Sequence, residues 1–197
     1  MTRYLYLTRH AEAIGDGDDA VLTPAGRRQA VLLGERLRHV PLAAVHHGPA
    51  LRTTQTAHLV GRYLPDVPLL PAEAAGDYVP YTPGEEEVAG PLLDLVRRFP
   101  AAEPALAEAA ERAFTGPVAG DVPRHELVVT HNFLIGWLVR AALEAPPRRW
   151  LGLNHANAAL TVIRYTADRP PALLLLNDTA HLPAGLRWTG FPPELRL

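Results

Sequence analysis

The chain contains no lysine, no serine and no cysteine, and these absences remove whole classes of chemistry. Without lysine there is no P-loop cation and no Schiff base. Without serine there is no Ser-His-Asp triad, and without cysteine there is no thiol nucleophile, disulfide or thiolate zinc site. A strong excess of one charge is also missing: 19 basic and 21 acidic residues leave a formal net charge of -2. No global positive field draws nucleic acid or an anionic membrane, so any anion site must be local. Long apolar runs are absent too. Met1-Thr2-Arg3-Tyr4 opens onto a stretch too short for a signal peptide or membrane span, so the expectation is a cytoplasmic protein without membrane or nucleic-acid partners.

What remains for chemistry is His, Asp, Glu, Thr, Tyr and Arg, since all 19 basic residues are arginine. A length of 197 residues, 48% hydrophobic and 20% charged, suits one sizeable core. No internal repeat or Gly/Ser-rich linker divides the chain, which predicts a single domain over 1–197.

Short β-rich runs alternate with longer helical patterns. That alternation predicts an α/β fold, a three-layer sandwich with a central, mostly parallel sheet flanked by helices. Strands are expected at Tyr4 to Thr8, Ala43 to His46, Val67 to Leu70, Glu126 to Thr130, Ala158 to Arg164 and Ala172 to Leu176. Thr23 as N-cap and Pro24 at the first helical position start a helix running to about His39. A second helix starts near Pro49-Ala50 and ends before Pro65, with Arg52 in its first turn. The run Pro83-Gly84-Glu85-Glu86-Glu87 predicts a third, closed by Arg97-Arg98, with its charges arranged as the helix dipole prefers. Further helices are expected from Ala102 to Phe114 and from Phe133 to Leu143. The tail from Leu182 to Leu197 reads as irregular and apolar enough to pack on the body.

Three strand-to-helix junctions each deliver a phosphate-competent residue: Arg9-His10, Arg52 and His131. In a parallel sheet the carboxyl ends of the strands share one edge, so these residues can converge. Arg offers a planar, permanently charged fork that fits a phosphoryl group, and a neutral His beside it can attack phosphorus.

These segments resemble the histidine phosphatase superfamily, also called phosphoglycerate mutase-like. Leu7-Thr8-Arg9-His10-Ala11-Glu12 stands where that family has Arg-His-Gly-Glu. Leu51-Arg52-Thr53-Thr54-Gln55-Thr56-Ala57 resembles its second-arginine helix, and Val128-Val129-Thr130-His131-Asn132 its second histidine. The resemblance implies a histidine acid-type phosphatase, a phosphoric monoester hydrolase that needs no metal or other cofactor. His10 would be the nucleophile, with Arg9, Arg52 and His131 on the phosphoryl oxygens and Asn132 beside them. The second nitrogen of His10 is expected to donate to a backbone carbonyl, fixing the tautomer. Ala11 replaces the family's usual Gly, which is tolerable where the backbone needs no positive φ.

The family takes its general acid from the loop after the third strand, where Glu73 and Asp77 both qualify; Asp77, three residues before Pro80, is favoured. Glu73 remains as the alternative and as a substrate contact. Glu12 reads either as orienting the arginines or as a plain surface acid. The loop Tyr78 to Pro83 and the helix after it are expected to wall the pocket. Of His46 and His47 at most one can point into it, since strand neighbours face opposite ways. His155 and His181 read as structural hydrogen-bonders, and Asp16, Asp18 and Asp19 as a solvated loop. The substrate is expected to be a phosphorylated small molecule or phosphoprotein. Alternatives are mutase-type phosphoryl transfer and a non-catalytic phosphate- or phosphoprotein-binding module.

Overall fold

Strand β1 (Arg3–Arg9) runs through the interior of the sheet because its side chains alternate between two apolar layers, Leu5 and Leu7 on one face and Tyr6 on the other. The structure is a computed structural model, and it describes residues 1–15, 17–88 and 90–191. After β1 come a two-residue hairpin, β2 (Ala13–Ile14) and β3 (Val21–Leu22), then α1 (Pro24–Leu37), β4 (Leu42–His47), α2 (Leu51–Gly61) and β5 (Leu69–Pro71). The second half contains α3 (Pro91–Val96), α4 (Pro104–Phe114), β6 (Arg124–Thr130), α5 (Asn132–Ala142), β7 (Leu160–Thr166) and β8 (Arg169–Asp178).

The main sheet has six strands in the order β5-β4-β6-β1-β7-β8. The first four are mutually parallel, β7 is antiparallel to β1, and β8 to β7. Leu33 and Leu37 of α1 and Ala57 and Val60 of α2 cover one face, against Leu127, Val129 and Val162. Ala107 and Phe114 of α4 and Leu134, Ile135 and Leu138 of α5 cover the other, against Leu5, Leu7, Val128 and Ile163. The expected α/β sandwich is therefore present, with neighbouring residues of β6 serving opposite layers.

Thr23 caps α1, its side chain accepting from the Gly26 N–H at 2.9 Å. Gly26 is needed for a second reason: a Cβ there would lie 1.9 Å from the Glu12 carbonyl oxygen. The first turn of α1 thus presses directly on the loop that follows His10.

The expectation of a helix opening at Pro83 is corrected. The Glu87 carboxylate accepts from the Gly84 N–H at 2.9 Å and from the Tyr81 hydroxyl at 2.6 Å, which closes a tight turn. The helix begins only at Pro91, after Gly90 turns the chain with φ 57°. The tail packs as expected as far as Phe191, whose ring meets Trp188 at 5.9 Å; residues 192–197 and Asp16 lie outside the described residues. Among the described residues no helix is long and apolar enough to cross a membrane.

Candidate active site

The carboxyl ends of β1 and β6 lie side by side, Arg9 paired with Thr130. The His10 N–H donates to the Thr130 carbonyl at 2.8 Å, so the two junctions are fixed to one another. His131 follows as the N-cap of α5, and its ring centroid lies 5.1 Å from that of His10. Arg52, in the first turn of α2, reaches the same place: its guanidinium is 3.4 Å from His131 Nδ1 and donates to the Asp77 carboxylate at 2.8 Å. A cavity of about 410 Å³ opens here, whose walls include Arg9, His10, Asp77, His131 and Asn132; Arg52 adjoins it through Asp77 and is not itself on the wall. The amino end of α5 adds its positive dipole end there.

His10 Nδ1 lies 2.8 Å from the Ala11 carbonyl oxygen. A carbonyl only accepts, so Nδ1 donates and Nε2 keeps its lone pair. Burial lowers the His10 pKa to about 3, helped by His131 and Arg9. Burial, then Arg52 and Arg9, lowers that of His131 to about 3 as well. Both rings are therefore neutral near pH 7. His131 Nε2 is buried with no hydrogen-bond partner among the described residues, and a phosphoryl oxygen would supply one.

Arg9 is held by neutral acceptors, the carbonyls of His155 and Gly190, each at 3.0 Å. Among the described residues no carboxylate bonds it directly. Ala11 is fully buried and receives its own support, its N–H donating to Thr56 Oγ1 at 3.1 Å. It is not among the residues with positive φ, so its methyl group fits without backbone strain.

The structure separates the remaining candidates. Asp77 lines the cavity, whereas Glu73 is exposed at the start of a short 3-10 turn and is not part of the wall. The Thr130 hydroxyl donates to the Ala75 carbonyl at 2.8 Å, tying the Asp77 loop to β6. Asn132 is at the wall, its carbonyl accepting from the His155 N–H at 2.7 Å. Glu12 is not: its carboxylate accepts from the Thr23 hydroxyl at 2.7 Å and steadies the start of α1.

Tyr78 turns into the core, its hydroxyl donating to the Ala74 carbonyl at 2.9 Å, and no residue from Tyr78 to Pro83 is on the wall, so the expectation that this loop walls the cavity is corrected. His46 and His47 stay outside, one beside Glu126 and Phe114, the other on the Gly48 carbonyl. Sequence reasoning missed Asn154, Phe133, Gly190 and Phe191 on the wall, and Asn157, whose amide donates to the His10 carbonyl at 2.8 Å. The paired amides of Leu153-Asn154-His155-Ala156-Asn157 were the available signal.

Fold and cavity define an α/β protein built to hold a phosphoryl group. The chain belongs to the histidine phosphatase superfamily (branch 1), whose family model matches residues 5–74 and 102–179, and the expectation of a phosphatase stands. It is 29% identical over 190 residues to the Xenopus laevis mitochondrial serine/threonine-protein phosphatase PGAM5, covering 93% of this chain and 68% of that protein. The chain spans about two thirds of the length of such relatives. In fold it is similar to Bacillus stearothermophilus YhfR, with TM-score 0.66, 21% identity, and 91% and 98% of the two chains covered. It is also similar to a Plasmodium falciparum phosphoglycerate mutase, with TM-score 0.63, 19% identity, and 93% and 95% covered. The curated relatives are mitochondrial proteins by name, which overturns the expectation of a cytoplasmic location. A short N-terminal apolar stretch was too little to decide that question.

Proposed function

We propose that the protein hydrolyses phosphomonoesters without a metal, through a phosphohistidine on His10. The observation that carries this is the bond from His10 Nδ1 to the Ala11 carbonyl, which leaves a neutral Nε2 free to attack beside two guanidinium groups. The ester enters as its phosphate monoanion, displaces the Asp77 carboxylate from Arg52 and passes it a proton; Nε2 then forms a bond to phosphorus as the ester P–O bond breaks, and the departing electron pair on oxygen takes that proton from Asp77. Water then attacks the phosphohistidine, the P–N bond breaks, the water proton passes to Asp77, and phosphate leaves. Arg9, Arg52 and His131 hold the equatorial oxygens, Asn132 adds an amide at the wall, and the cations supply the charge a metal would otherwise bring.

Asp77 stands where a phosphoryl oxygen would go, 2.8 Å from Arg52 and 3.3 Å from His131 Nδ1. Substrate must displace it, and the displaced carboxyl is then beside the leaving oxygen. The acid-type assignment is supported by the nucleophile, which stays unprotonated down to about pH 3. Substrates are phosphorylated small molecules or phosphoproteins.

The test is a rapid quench in base during turnover of p-nitrophenyl phosphate, followed by mass spectrometry of the His10 peptide. Acid-labile phosphate on His10 is expected. Turnover with phosphate on no histidine overturns the mechanism, and binding without turnover marks a non-catalytic module. Interconversion of 2- and 3-phosphoglycerate faster than phosphate release identifies a mutase.

A further inference from the structure

A second cavity of about 400 Å³ adjoins the first and shares Asn132, Phe133 and Asn154 with it. Its other walls are Leu92 and Leu95 of α3, Phe99, Trp150, Leu151 and Gly152, with no charged side chain among them. Phe133 therefore stands between a cationic chamber and an apolar one. Three rings build the floor: Phe133 meets Trp150 edge-on at 4.8 Å and Phe99 at 5.1 Å. The Trp150 indole is fixed by donating to the Tyr81 carbonyl at 2.9 Å, so the floor is preformed.

We infer that this chamber receives the alcohol portion of the substrate, and that the substrates are phosphate monoesters of apolar, ring-bearing small alcohols. Four observations support it. The chamber is continuous with the phosphoryl site through shared residues. Its volume lies within the range of small-molecule sites and fits a group of one or two rings. Leu92 and Leu95 are 39% and 47% exposed, and two solvent-facing leucines on one six-residue helix beside aromatic rings form the kind of patch that marks a binding surface. Lastly, Leu92, Leu95 and Phe99 all lie between residues 74 and 102, the stretch the family model leaves unmatched. This part of the apolar wall thus lies outside the segments that the family model describes.

The lining also disfavours other occupants. A sugar or a second phosphate would need several free polar partners. The chamber offers the amides of Asn132 and Asn154, and these bond one another at 3.2 Å while Asn132 also accepts from the His155 N–H. A peptide main chain meets the same shortage.

The inference rests on the phosphatase reading, and a binding experiment separates the two. Calorimetry would compare 2-(2-naphthyl)ethylphosphonate with ethylphosphonate, neither of which can be hydrolysed. Burial of the naphthyl group should make the first bind about 30-fold tighter. Leu92→Asp/Leu95→Asp, placed at exposed positions, should reduce that ratio to about threefold or less; Leu95→Asn, which adds no charge, should reduce it in part, and thermal melts check that both variants fold. Equal affinity for the two phosphonates, or a ratio that survives in melting-competent variants, overturns the inference. So does a phosphoserine peptide with a neighbouring Phe that binds more tightly than the naphthyl compound. If the ratio holds but p-nitrophenyl phosphate is not hydrolysed, the chamber stands and the phosphatase mechanism fails. If p-nitrophenyl phosphate is hydrolysed but the ratio is near one, the mechanism stands and the chamber does not receive the alcohol.

Discussion

Two clusters of arginine, histidine and carboxylate at the sheet differ in that one can exchange its anion and the other cannot. Glu126 is ringed by Arg3 at 3.0 Å, Arg124 at 2.9 Å and His46 at 3.4 Å. Asp77 has a similar company in Arg52 and His131, with Arg9 nearby. The difference lies in the carboxylates. The Glu126 side chain is 6% exposed and set in a strand, while that of Asp77 is 44% exposed, on a loop, at the rim of an open cavity. Burial alone would raise the Glu126 pKa, yet His46, Arg3 and Arg124 together hold it below its ordinary value. No ligand can replace a carboxylate so enclosed. Residue types alone therefore do not distinguish a functional site from a structural network; a movable counter-ion beside free volume does.

The widest separation is expected from one substitution in each cluster. His10→Ala should lower kcat at least about 10⁴-fold with little change in Tm, because the nucleophile contributes to the barrier rather than to packing. Glu126→Gln should do the opposite. It leaves the buried Arg3 guanidinium without its anion and should cost about 3 kcal/mol in urea unfolding, with kcat nearly unaltered at a temperature where the variant is folded. Comparable losses of kcat in both variants would erase the distinction between the two clusters.

Arg52→Lys sharpens the comparison within the exchangeable cluster. The guanidinium divides its donors between the Gly17 carbonyl at 2.6 Å and Asp77 at 2.8 Å, and a point ammonium cannot span both directions. The expected loss is about 100-fold in kcat/KM, or about 2.7 kcal/mol of transition-state stabilisation. Near-normal kinetics would show that charge, without the fork, suffices.

How much of this arrangement could be read from sequence follows from the range of the forces involved. The Arg9-His10, Arg52 and His131 junctions were legible because an apolar strand followed by a cap or a helical pattern is local information. The tautomer of His10 was legible too, since a neutral nucleophile needs its other nitrogen occupied. The run Glu85-Glu86-Glu87 misled because dipole preference is weaker than the two specific hydrogen bonds that Glu87 makes. The walls at Asn154, Gly190 and Phe191 come from segments far along the chain, and only tertiary packing brings them to Arg9.

Acid should act on stability before it acts on the nucleophile's chemistry. His10, His131 and His155 have pKa values lowered to about 3, and His181 to about 4, burial being the first cause in each. Between pH 6.5 and these values the unfolded chain binds protons that the folded chain refuses. Stability from neutral burial is thus complete above pH 6.5 and is lost as pH falls, by up to about 1.4 kcal/mol per pH unit for each histidine. Urea unfolding at pH 7 and pH 5 measures the slope, and a flat profile would mean that these rings are charged in the fold. The acid limb of activity should follow unfolding rather than protonation of His10.

The smallest effect tests the movable anion itself. Asp77→Asn keeps the shape of the side chain but removes both its charge and its transferable proton. If Asp77 occupies the place of a phosphoryl oxygen, its neutral replacement competes less well for Arg52, so inorganic phosphate should inhibit the variant at a severalfold lower concentration. If Asp77 also protonates the leaving oxygen, the variant should lose about tenfold more kcat with an alkyl phosphate than with p-nitrophenyl phosphate, whose phenolate departs without a proton. The two outcomes are independent, because one concerns anion binding and the other the transition state. Tighter phosphate binding with equal losses on both substrates would keep Asp77 as the exchangeable counter-ion and move the general acid elsewhere. A selective defect in Glu73→Gln would move it to Glu73, although that side chain lies off the cavity wall. Unchanged phosphate inhibition would show that Arg52 is not held by Asp77 in solution, and the contrast with Glu126 would then rest on exposure alone.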